Sequence, residues 1–203
     1  MSEEEVWAVY PPREDTYLLL PFAQALPGER VADIGTGNGT LALAAARHGG
    51  RVVATDLNPR ALSELRARAR REGLSLEVVR TDLLAGLGVF DRILANPPYL
   101  PTTPTGEDRR IGDRFALDGG ADGLRVTRRL FEGWENHLAR DGRAFVLVST
   151  LQDPSGLASI LAAWKERGGT VATVASRPLE GERLDVLECT WDLSRASRRE
   201  RSP

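Results

Sequence analysis

Short apolar runs alternate with longer amphipathic stretches along most of this chain. Five runs rich in Val, Ile, Leu and Ala end at turn residues, which is typical of buried strands. The stretches between them are long enough for helices, and strands that alternate with helices form a parallel sheet covered on both faces. The pattern therefore predicts a doubly wound α/β domain. The five runs are 31–34, 51–55, 76–80, 90–95 and 143–149.

Helix starts are indicated at three places. Pro59 precedes a stretch with apolar residues at helical spacing, and proline is favoured in the first turn of a helix. Asp15 or Thr16 is predicted to cap a helix near the N-terminus, and Ser155 is predicted to cap another between the fifth run and the end of the chain. These helices would cover the faces of the sheet.

Two further apolar runs, 170–176 and 184–191, are separated only by a charged turn. Because no helix fits between them, they are predicted to pair antiparallel. The expected fold is a mostly parallel seven-stranded sheet with a C-terminal antiparallel hairpin. Residues 1–193 are predicted to form one domain, with a helical extension at 1–30, and the basic residues 194–203 are predicted to form a disordered tail.

Composition narrows the class of protein. The 203 residues carry 27 basic and 29 acidic side chains, a formal net charge of −2, so no overall positive field would attract nucleic acid. The single cysteine, Cys189, excludes an internal disulfide and argues against a structural metal. Neither a membrane span nor a secretory signal is visible. A cytoplasmic protein with no membrane or metal site is expected.

A glycine-rich loop follows the first predicted strand. Gly35, Gly37 and Gly39 allow the backbone to take positive φ and to approach a ligand closely. In a doubly wound sheet this loop lies at the carboxyl ends of the strands, where ligands bind. Such a loop alone also fits a simple strand-to-helix turn. The residues after the next strands are therefore needed to distinguish a ligand-binding loop from a plain turn.

Acidic residues follow or end three successive strands. Asp56, about 20 residues beyond the loop, is placed to accept the two hydroxyls of a ribose, which fits NAD as well as an adenosyl ligand. Asp33 would repel a pyrophosphate but attract the ammonium group of a bound amino acid. Asp82 would accept from an adenine amino group, or be only a solvated loop residue. Together they favour S-adenosylmethionine, which carries an ammonium group and no phosphate.

The most specific sequence is Asn-Pro-Pro-Tyr at 96–99, after the fourth predicted strand. An amide nitrogen is a poor nucleophile because its lone pair is delocalised. The side-chain oxygen of Asn96 and the carbonyl of Pro97 could accept its two N–H groups and so aim the lone pair. Pro98 stiffens the turn, and Tyr99 could stack on the planar acceptor. The run predicts methyl transfer to a conjugated nitrogen, with a plain proline turn as the alternative.

These motifs resemble those of class I S-adenosylmethionine-dependent methyltransferases, and within them the release-factor glutamine methyltransferases, especially the short HemK2/Mtq2-like branch. The resemblance extends to about Trp191 and includes the segments 10–20 and 119–123. It implies a Rossmann-like fold and S-adenosylmethionine as cofactor. The residues expected to bind the cofactor are Thr16, Asp33, Gly35, Gly37, Gly39, Asp56, Leu57, Asp82, Leu83 and Asn96.

The resemblance also implies a substrate, the glutamine in the Gly-Gly-Gln loop of a class I peptide-chain release factor, methylated on its side-chain nitrogen N5. Short members of the family in archaea and eukaryotes pair with a small zinc-binding activator protein, so such a partner is a candidate here. The predicted catalytic residues are Asn96, Pro97 and Tyr99, and the predicted substrate-binding residues are Asn96, Pro97, Pro98, Tyr99, Gly119 and Gly120.

Three other functions compete with this interpretation. Asn-Pro-Pro-Tyr runs also occur in methyltransferases that act on amino groups of adenine or guanine in RNA or DNA, although the charge of this chain does not favour nucleic acid. An NAD-dependent dehydrogenase would leave residues 96–99 unexplained. A binding module that kept the fold without transferring methyl groups would leave the same residues unexplained.

Overall fold

A seven-stranded sheet forms the centre of the molecule in a computed structural model, which describes residues 9–102 and 116–191. The strands are β1 (Arg30–Ile34), β2 (Arg51–Asp56), β3 (Glu77–Arg80), β4 (Phe90–Ala95), β5 (Leu138–Ser149), β6 (Gly169–Leu179) and β7 (Glu182–Trp191). Their order in the sheet is β3-β2-β1-β4-β5-β7-β6. The first five strands pair parallel, and β7 pairs antiparallel with both β5 and β6. The predicted mostly parallel sheet with a C-terminal antiparallel hairpin is confirmed.

In the described ranges, five α-helices that lie wholly within them cover the two faces of the sheet. The helices are α1 (Glu14–Leu19), α2 (Thr40–Arg47), α3 (Pro59–Arg71), α4 (Arg125–Gly133) and α5 (Pro154–Arg167). Pro59 begins α3 as predicted, and Asn58 caps it by accepting hydrogen bonds from two backbone N–H groups of the first turn. Among the described residues, no helix has both the length and the apolar composition that a membrane span requires.

The other two predicted helix caps were wrong. The capping position of α1 is Arg13, so Asp15 and Thr16 lie inside its first turn and are buried. At α5 the cap is Asp153, whose Oδ2 accepts a hydrogen bond from the backbone nitrogen of Gly156 at 2.6 Å. Because Asp153 precedes a proline, which is favoured as the first residue of a helix, the helix starts earlier than Ser155 would place it.

The core consists of two hydrophobic clusters, one on each face of the sheet. Neighbouring residues of a strand point to opposite faces, so Leu94 packs with α1 and α2 while Ile93 packs with α4 and α5. In the same way Phe145 and Val146 belong to different clusters. Burial on both faces explains why the strands appear as nearly continuous apolar runs in the sequence.

The strand order brings the candidate motifs together. The chain runs from β1 outwards to β3 and then returns to place β4 on the other side of β1. Such a reversal of strand order leaves a crevice at the carboxyl ends of the strands, where ligands bind in folds of this type. Because Ile34 is in register with Ala95, the glycine loop after β1 and Asn96 after β4 leave the sheet side by side.

Two sequence predictions fall partly or wholly outside the described residues. The basic tail 194–203 lies outside them, as do the first eight residues of the N-terminal extension. Within the described part of that extension, the structure has α1 and a following 3-10 turn at Leu20–Ala23.

Candidate active site

The carboxyl ends of β1, β2, β3 and β4 surround a pocket of about 290 Å³. The motifs after all four strands contribute to its lining, so the fold joins them in one site. The predicted residues that line the pocket are Thr16, Asp33, Gly35, Gly37, Asp56, Leu57, Asp82, Leu83, Asn96, Pro97, Pro98 and Tyr99. Gly39, Gly119 and Gly120 do not line it.

The three glycines of the loop after β1 serve two different purposes. All have positive φ, +65° at Gly35, +52° at Gly37 and +76° at Gly39, which glycine adopts without steric cost. A Cβ at Gly35 would meet no other described atom within 4 Å, so the backbone there borders open space in the pocket. A Cβ at Gly39 would instead clash with Leu65. The absence of a side chain at Gly39 therefore lets α2 approach α3, and the predicted cofactor contact at Gly39 stays a prediction.

Asp33 is a buried acid in the wall of the pocket, with only 1% of its surface exposed. Its Oδ2 accepts hydrogen bonds from the hydroxyl of Thr36 at 2.6 Å and from the backbone nitrogen of Ala42 at 3.0 Å. Burial raises the pKa of Asp33 to about 6, against the opposing effect of these two donors. A cation bound beside it would therefore favour the ionised carboxylate.

Asp56 connects the loop after β1 with the loop after β2. Its Oδ2 accepts from the backbone nitrogen of Gly37 at 2.9 Å, and its Oδ1 accepts from that of Asn58 at 2.8 Å. Burial raises the pKa of Asp56, and these backbone donors oppose the rise. Since each carboxylate oxygen has two lone pairs, the fixed side chain can still accept two hydroxyl groups from a ligand.

Asp82 lies at the rim of the pocket and forms an ion pair. Its Oδ1 and Oδ2 accept from Nη1 and Nη2 of Arg129 at 3.2 and 2.8 Å. The sequence reasoning missed Arg129, because nothing in the local pattern connects two residues 47 positions apart. The next residue, Leu83, has a φ of +54°, which is uncommon for a side chain other than glycine.

The N-terminal segment closes one side of the pocket. Thr16 donates to Oδ1 of Asp15 through both its backbone nitrogen, at 2.6 Å, and its hydroxyl, at 3.2 Å. The side chain of Asn38, in the glycine loop, donates to the carbonyl of Tyr10 at 2.9 Å. Asp15, Asn38 and Tyr10 all line the pocket but were not predicted as site residues. Tyr10 and Asp15 belong to the motif at 10–20 and Asn38 lies in the glycine loop, so both motifs were signals for this side of the pocket.

Asn96 is a predicted catalytic residue whose side-chain amide stays available to a ligand in the described part of the chain. It is half-buried, and no described residue forms a hydrogen bond with its amide. Pro97 and Tyr99 are buried and Pro98 is half-buried. The ring of Tyr99 is only 9% exposed and packs in the core, so little of it can stack on a ligand. Burial, followed by the charges of Asp15 and other neighbours, raises the pKa of Tyr99, which keeps its hydroxyl neutral.

The segment 119–123 supports the Asn-Pro-Pro-Tyr run from behind. The backbone nitrogen of Gly119 donates to the carbonyl of Leu100 at 2.8 Å. A Cβ at Gly119 would lie 2.6 Å from the carbonyl oxygen of Gly123, and a Cβ at Gly123 would lie 2.5 Å from that of Tyr99. Gly119 and Gly120 are buried. Their position gives them a role in packing the backbone, and their predicted role in substrate binding stays a prediction.

Within the described ranges, no group of three or more His, Cys, Asp or Glu side chains is arranged to hold a metal ion. The groups gathered in the pocket are instead carboxylates, glycine backbone and one amide. On a doubly wound sheet of this strand order, they define a class I methyltransferase. Enzymes of this class use S-adenosylmethionine as cofactor.

Comparison with known proteins identifies the family to which this chain belongs. Residues 6–119, more than half of the chain, match the sequence model of the family described as Methyltransferase small domain. Human methyltransferase HEMK2 is 31% identical over 195 residues, which cover 90% of this chain and 89% of HEMK2. The chain belongs to this family, in the branch of release-factor glutamine methyltransferases that resembles HEMK2 and Mtq2.

Two other relatives show how far the similarity extends. The release factor glutamine methyltransferase of Deinococcus radiodurans is 46% identical over 130 residues, which are 59% of this chain but only 46% of that enzyme. The chain thus spans about half the length of this relative. The solved Mtq2–Trm112 complex of E. cuniculi, described as responsible for methylation of the termination factor eRF1, gives a TM-score of 0.67 at 29% identity. The match covers 90% of this chain and 98% of that one.

Proposed function

We propose that this protein transfers a methyl group from S-adenosylmethionine to the side-chain nitrogen N5 of a glutamine, in the Gly-Gly-Gln loop of a class I peptide-chain release factor. The observation that carries the proposal is the Asn96 amide. It has no partner among the described residues, and it lines the same pocket as the carboxylates of Asp33 and Asp56. The names of the relatives, which include release factor glutamine methyltransferases, support this choice of substrate.

The pocket fits the cofactor at several points. Asp56 would accept the ribose hydroxyls, and Asp33 would pair with the ammonium group, for which its Oδ1 has no donor among the described residues. Gly35 leaves open space where a side chain would intrude, and Leu57, half exposed at the pocket wall, offers an apolar face to adenine. When bound, S-adenosylmethionine supplies an electrophilic methyl group on a positively charged sulfur.

Asn96 and Pro97 would orient the glutamine amide. The amide presents two N–H donors, and the side-chain oxygen of Asn96 and the carbonyl of Pro97 are two acceptors on adjacent residues. Accepting both donors would hold the nitrogen lone pair in one direction. Positioning of this kind is worth on the order of 7–11 kcal/mol in well-oriented reactions. The nitrogen becomes acidic once it is alkylated, so its proton can leave to water without a base of shifted pKa.

A small activator protein belongs to the proposal as a second partner. The Mtq2 relative was solved as a complex with Trm112. The resemblance to the short branch implies a small zinc-binding partner, and the comparison covers 98% of the Mtq2 chain. Methyl transfer by this protein should therefore be measured both with and without such a partner.

The deciding experiment measures methyl transfer from labelled cofactor to a purified class I release factor. Mass spectrometry is expected to find a single added methyl on the Gly-Gly-Gln glutamine. A release factor with glutamate in place of that glutamine is expected to remain unmodified. The substitution removes both N–H donors and brings a carboxylate against two acceptor oxygens, an uncompensated burial that costs several kcal/mol.

Parallel reactions with tRNA, rRNA and duplex DNA test the alternative function. All reactions are run with and without the candidate activator protein. Label in nucleic acid together with an unmodified release factor would establish an amino-group methyltransferase acting on adenine or guanine. Label in the release factor alone would support the proposal.

A further inference from the structure

We infer that Arg129 is a positioning residue for the cofactor, which fixes the Asp82 carboxylate in the orientation that receives the amino group of adenine. The inference rests on the proposed function, which places S-adenosylmethionine in this pocket, and on the expectation from the sequence that Asp82 accepts from the amino group of adenine. Arg129 lies in α4, on a part of the chain that the cofactor motifs do not include. Asp82 and Arg129 both line the pocket.

Arg129 and Asp82 form a bidentate ion pair, in which the guanidinium acts as a fork. Two separate nitrogens of the Arg129 guanidinium each donate to a different oxygen of Asp82, at 3.2 and 2.8 Å. A fork of this type defines the plane of the carboxylate as well as its position, which a single contact does not. One lone pair on each oxygen is engaged by the arginine, and the other remains for a ligand donor.

The ion pair adds little to the stability of the fold. The side chains of Arg129 and Asp82 are 48% and 46% exposed, and pairs with this exposure contribute little to stability because water and salt screen them. The effect that remains is geometric, since the pair restricts the side-chain rotamers of an aspartate at the mouth of the pocket.

The backbone on both sides of the pair is already fixed. The carbonyl of Asp82 accepts from the nitrogen of Ala85 at 3.1 Å, and the hydroxyl of Thr55 donates to the carbonyl of Leu83 at 3.1 Å. On α4, Leu130 is buried beside Arg129. Because both backbones are held, the remaining conformational freedom in this part of the site is in the side-chain torsions of Asp82. The ion pair with Arg129 restricts these torsions.

The neighbouring residue Arg128 provides a matched control. It also lies in α4 and forms an ion pair with an aspartate, Asp122, at 2.8 Å, with exposures of 43% and 37%. It does not line the pocket. Arg128→Gln and Arg129→Gln therefore remove the same chemistry from adjacent positions, and only one of them touches the cofactor site.

The experiment compares two ligands by calorimetric titration. One is S-adenosylhomocysteine, and the other is its analogue with unsubstituted purine in place of adenine, which lacks the amino group. The wild type is expected to prefer the adenine ligand by about tenfold or more, the value of one hydrogen bond to a charged acceptor. Arg129→Gln is expected to reduce this preference to about threefold or less, Arg128→Gln to leave it unchanged, and Arg129→Lys to retain part of it. These expectations follow from the difference between a fork and a point contact.

A purely structural role for Arg129 would lower the affinity for both ligands equally and leave their ratio as in the wild type. An unchanged ratio in Arg129→Gln overturns the inference, and thermal unfolding of the two variants shows whether either has lost its fold. A wild type without preference would overturn the assignment of adenine to Asp82, and with it this inference. That outcome would leave the methyl transfer assay on the release factor unaffected, so the two failures can be distinguished.

Discussion

On the cofactor side of the pocket, at the ends of β1 and β2, the carboxylates of Asp33 and Asp56 already accept hydrogen bonds from the chain itself. On the acceptor side, at the end of β4, the Asn96 amide has no partner in the described chain. Binding to groups that the fold has already oriented loses less conformational entropy. In the proposed function, the Asn96 amide gains its hydrogen-bond partners only when substrate binds, so until then its orientation depends on the backbone that holds it.

The comparison predicts different defects on the two sides, and the largest effect is expected at Asn96. Asn96→Ala removes the hydrogen-bond acceptor that is proposed to orient the substrate amide, and loss of such an oriented group typically lowers the rate about 100-fold or more. Cofactor affinity is expected to change by no more than about threefold, because the cofactor carboxylates are held independently. Single-turnover rates at saturating cofactor and calorimetry measure the two quantities. A near wild-type rate would show that residues 96–99 form only a turn.

The next largest effect is a loss of affinity for the cofactor when Asp56 is replaced. Asp56→Ala removes charge-assisted hydrogen bonds worth about 1.5–3 kcal/mol each, so the Kd for the cofactor should rise about tenfold or more. Asp91→Ala is the matched control, because Asp91 also accepts a backbone N–H, that of Arg30 at 2.8 Å, but lies outside the pocket lining. Equal cofactor affinity in the two variants would contradict the assignment of Asp56.

A smaller effect is expected from the backbone behind the acceptor side. In Gly123→Ala the new Cβ would lie 2.5 Å from the carbonyl oxygen of Tyr99, so the run that carries Asn96 must move. Displacing a positioning group in this way should lower turnover about tenfold while cofactor affinity stays nearly constant. Gly73→Ala has the same left-handed strain, with φ +66° against +73°, but open space around the Cβ. Similar turnover in the two variants would show that the segment 119–123 does not position the run that carries Asn96.

The smallest effect is a pH dependence of cofactor affinity. Burial raises the pKa of Asp33 to about 6 in the cofactor-free protein, and a bound ammonium group favours the ionised form. Affinity should therefore fall as the pH drops through 6, by severalfold and at most about tenfold between pH 7 and pH 5. Titrations across this range in wild type and Asp33→Asn test the effect, which the variant should lack. If the cofactor affinity of the wild type does not change with pH, Asp33 does not pair with the ammonium group.

The same carboxylate affects folding with the opposite sign. Because the pKa of Asp33 is higher in the folded state than its ordinary value of 3.8, its stabilising contribution is present at low pH and lost as the pH rises through 6. Above pH 6 the cofactor-free Asp33→Asn variant should be more stable than the wild type, by on the order of 2 kcal/mol. Denaturant unfolding at pH 5 and pH 8 checks this. Weaker binding together with higher stability would mark Asp33 as a group kept for function.

The sequence predicted the strands well because burial on both faces leaves apolar runs that local patterns reveal. It predicted β5 less well, placing its start at residue 143 and not at Leu138, because the added segment contains Asp141 with a φ of +65° and lacks an apolar pattern. Local patterns also favoured Ser155 as a cap where a carboxylate and a proline determine the helix start.

The site was predictable where it depends on the ends of strands and not where it depends on distant contacts. Asp33, Asp56 and Asn96 follow directly from strand positions and all line the pocket. Gly39 was placed against the cofactor because its motif does not show that Leu65 packs on it. Arg129 was missed for the same reason, since its role arises only when α4 folds against the loop after β3.

The position of β7 has a consequence for how this protein is made. It is the last strand along the described chain, yet it lies inside the sheet, between β5 and β6. Until Trp191 has been synthesised, β5 and β6 each have an unpaired edge, and unpaired edges are templates for pairing with other chains. Chains that stop before β7 should therefore aggregate, while cuts after Trp191 leave the sheet complete.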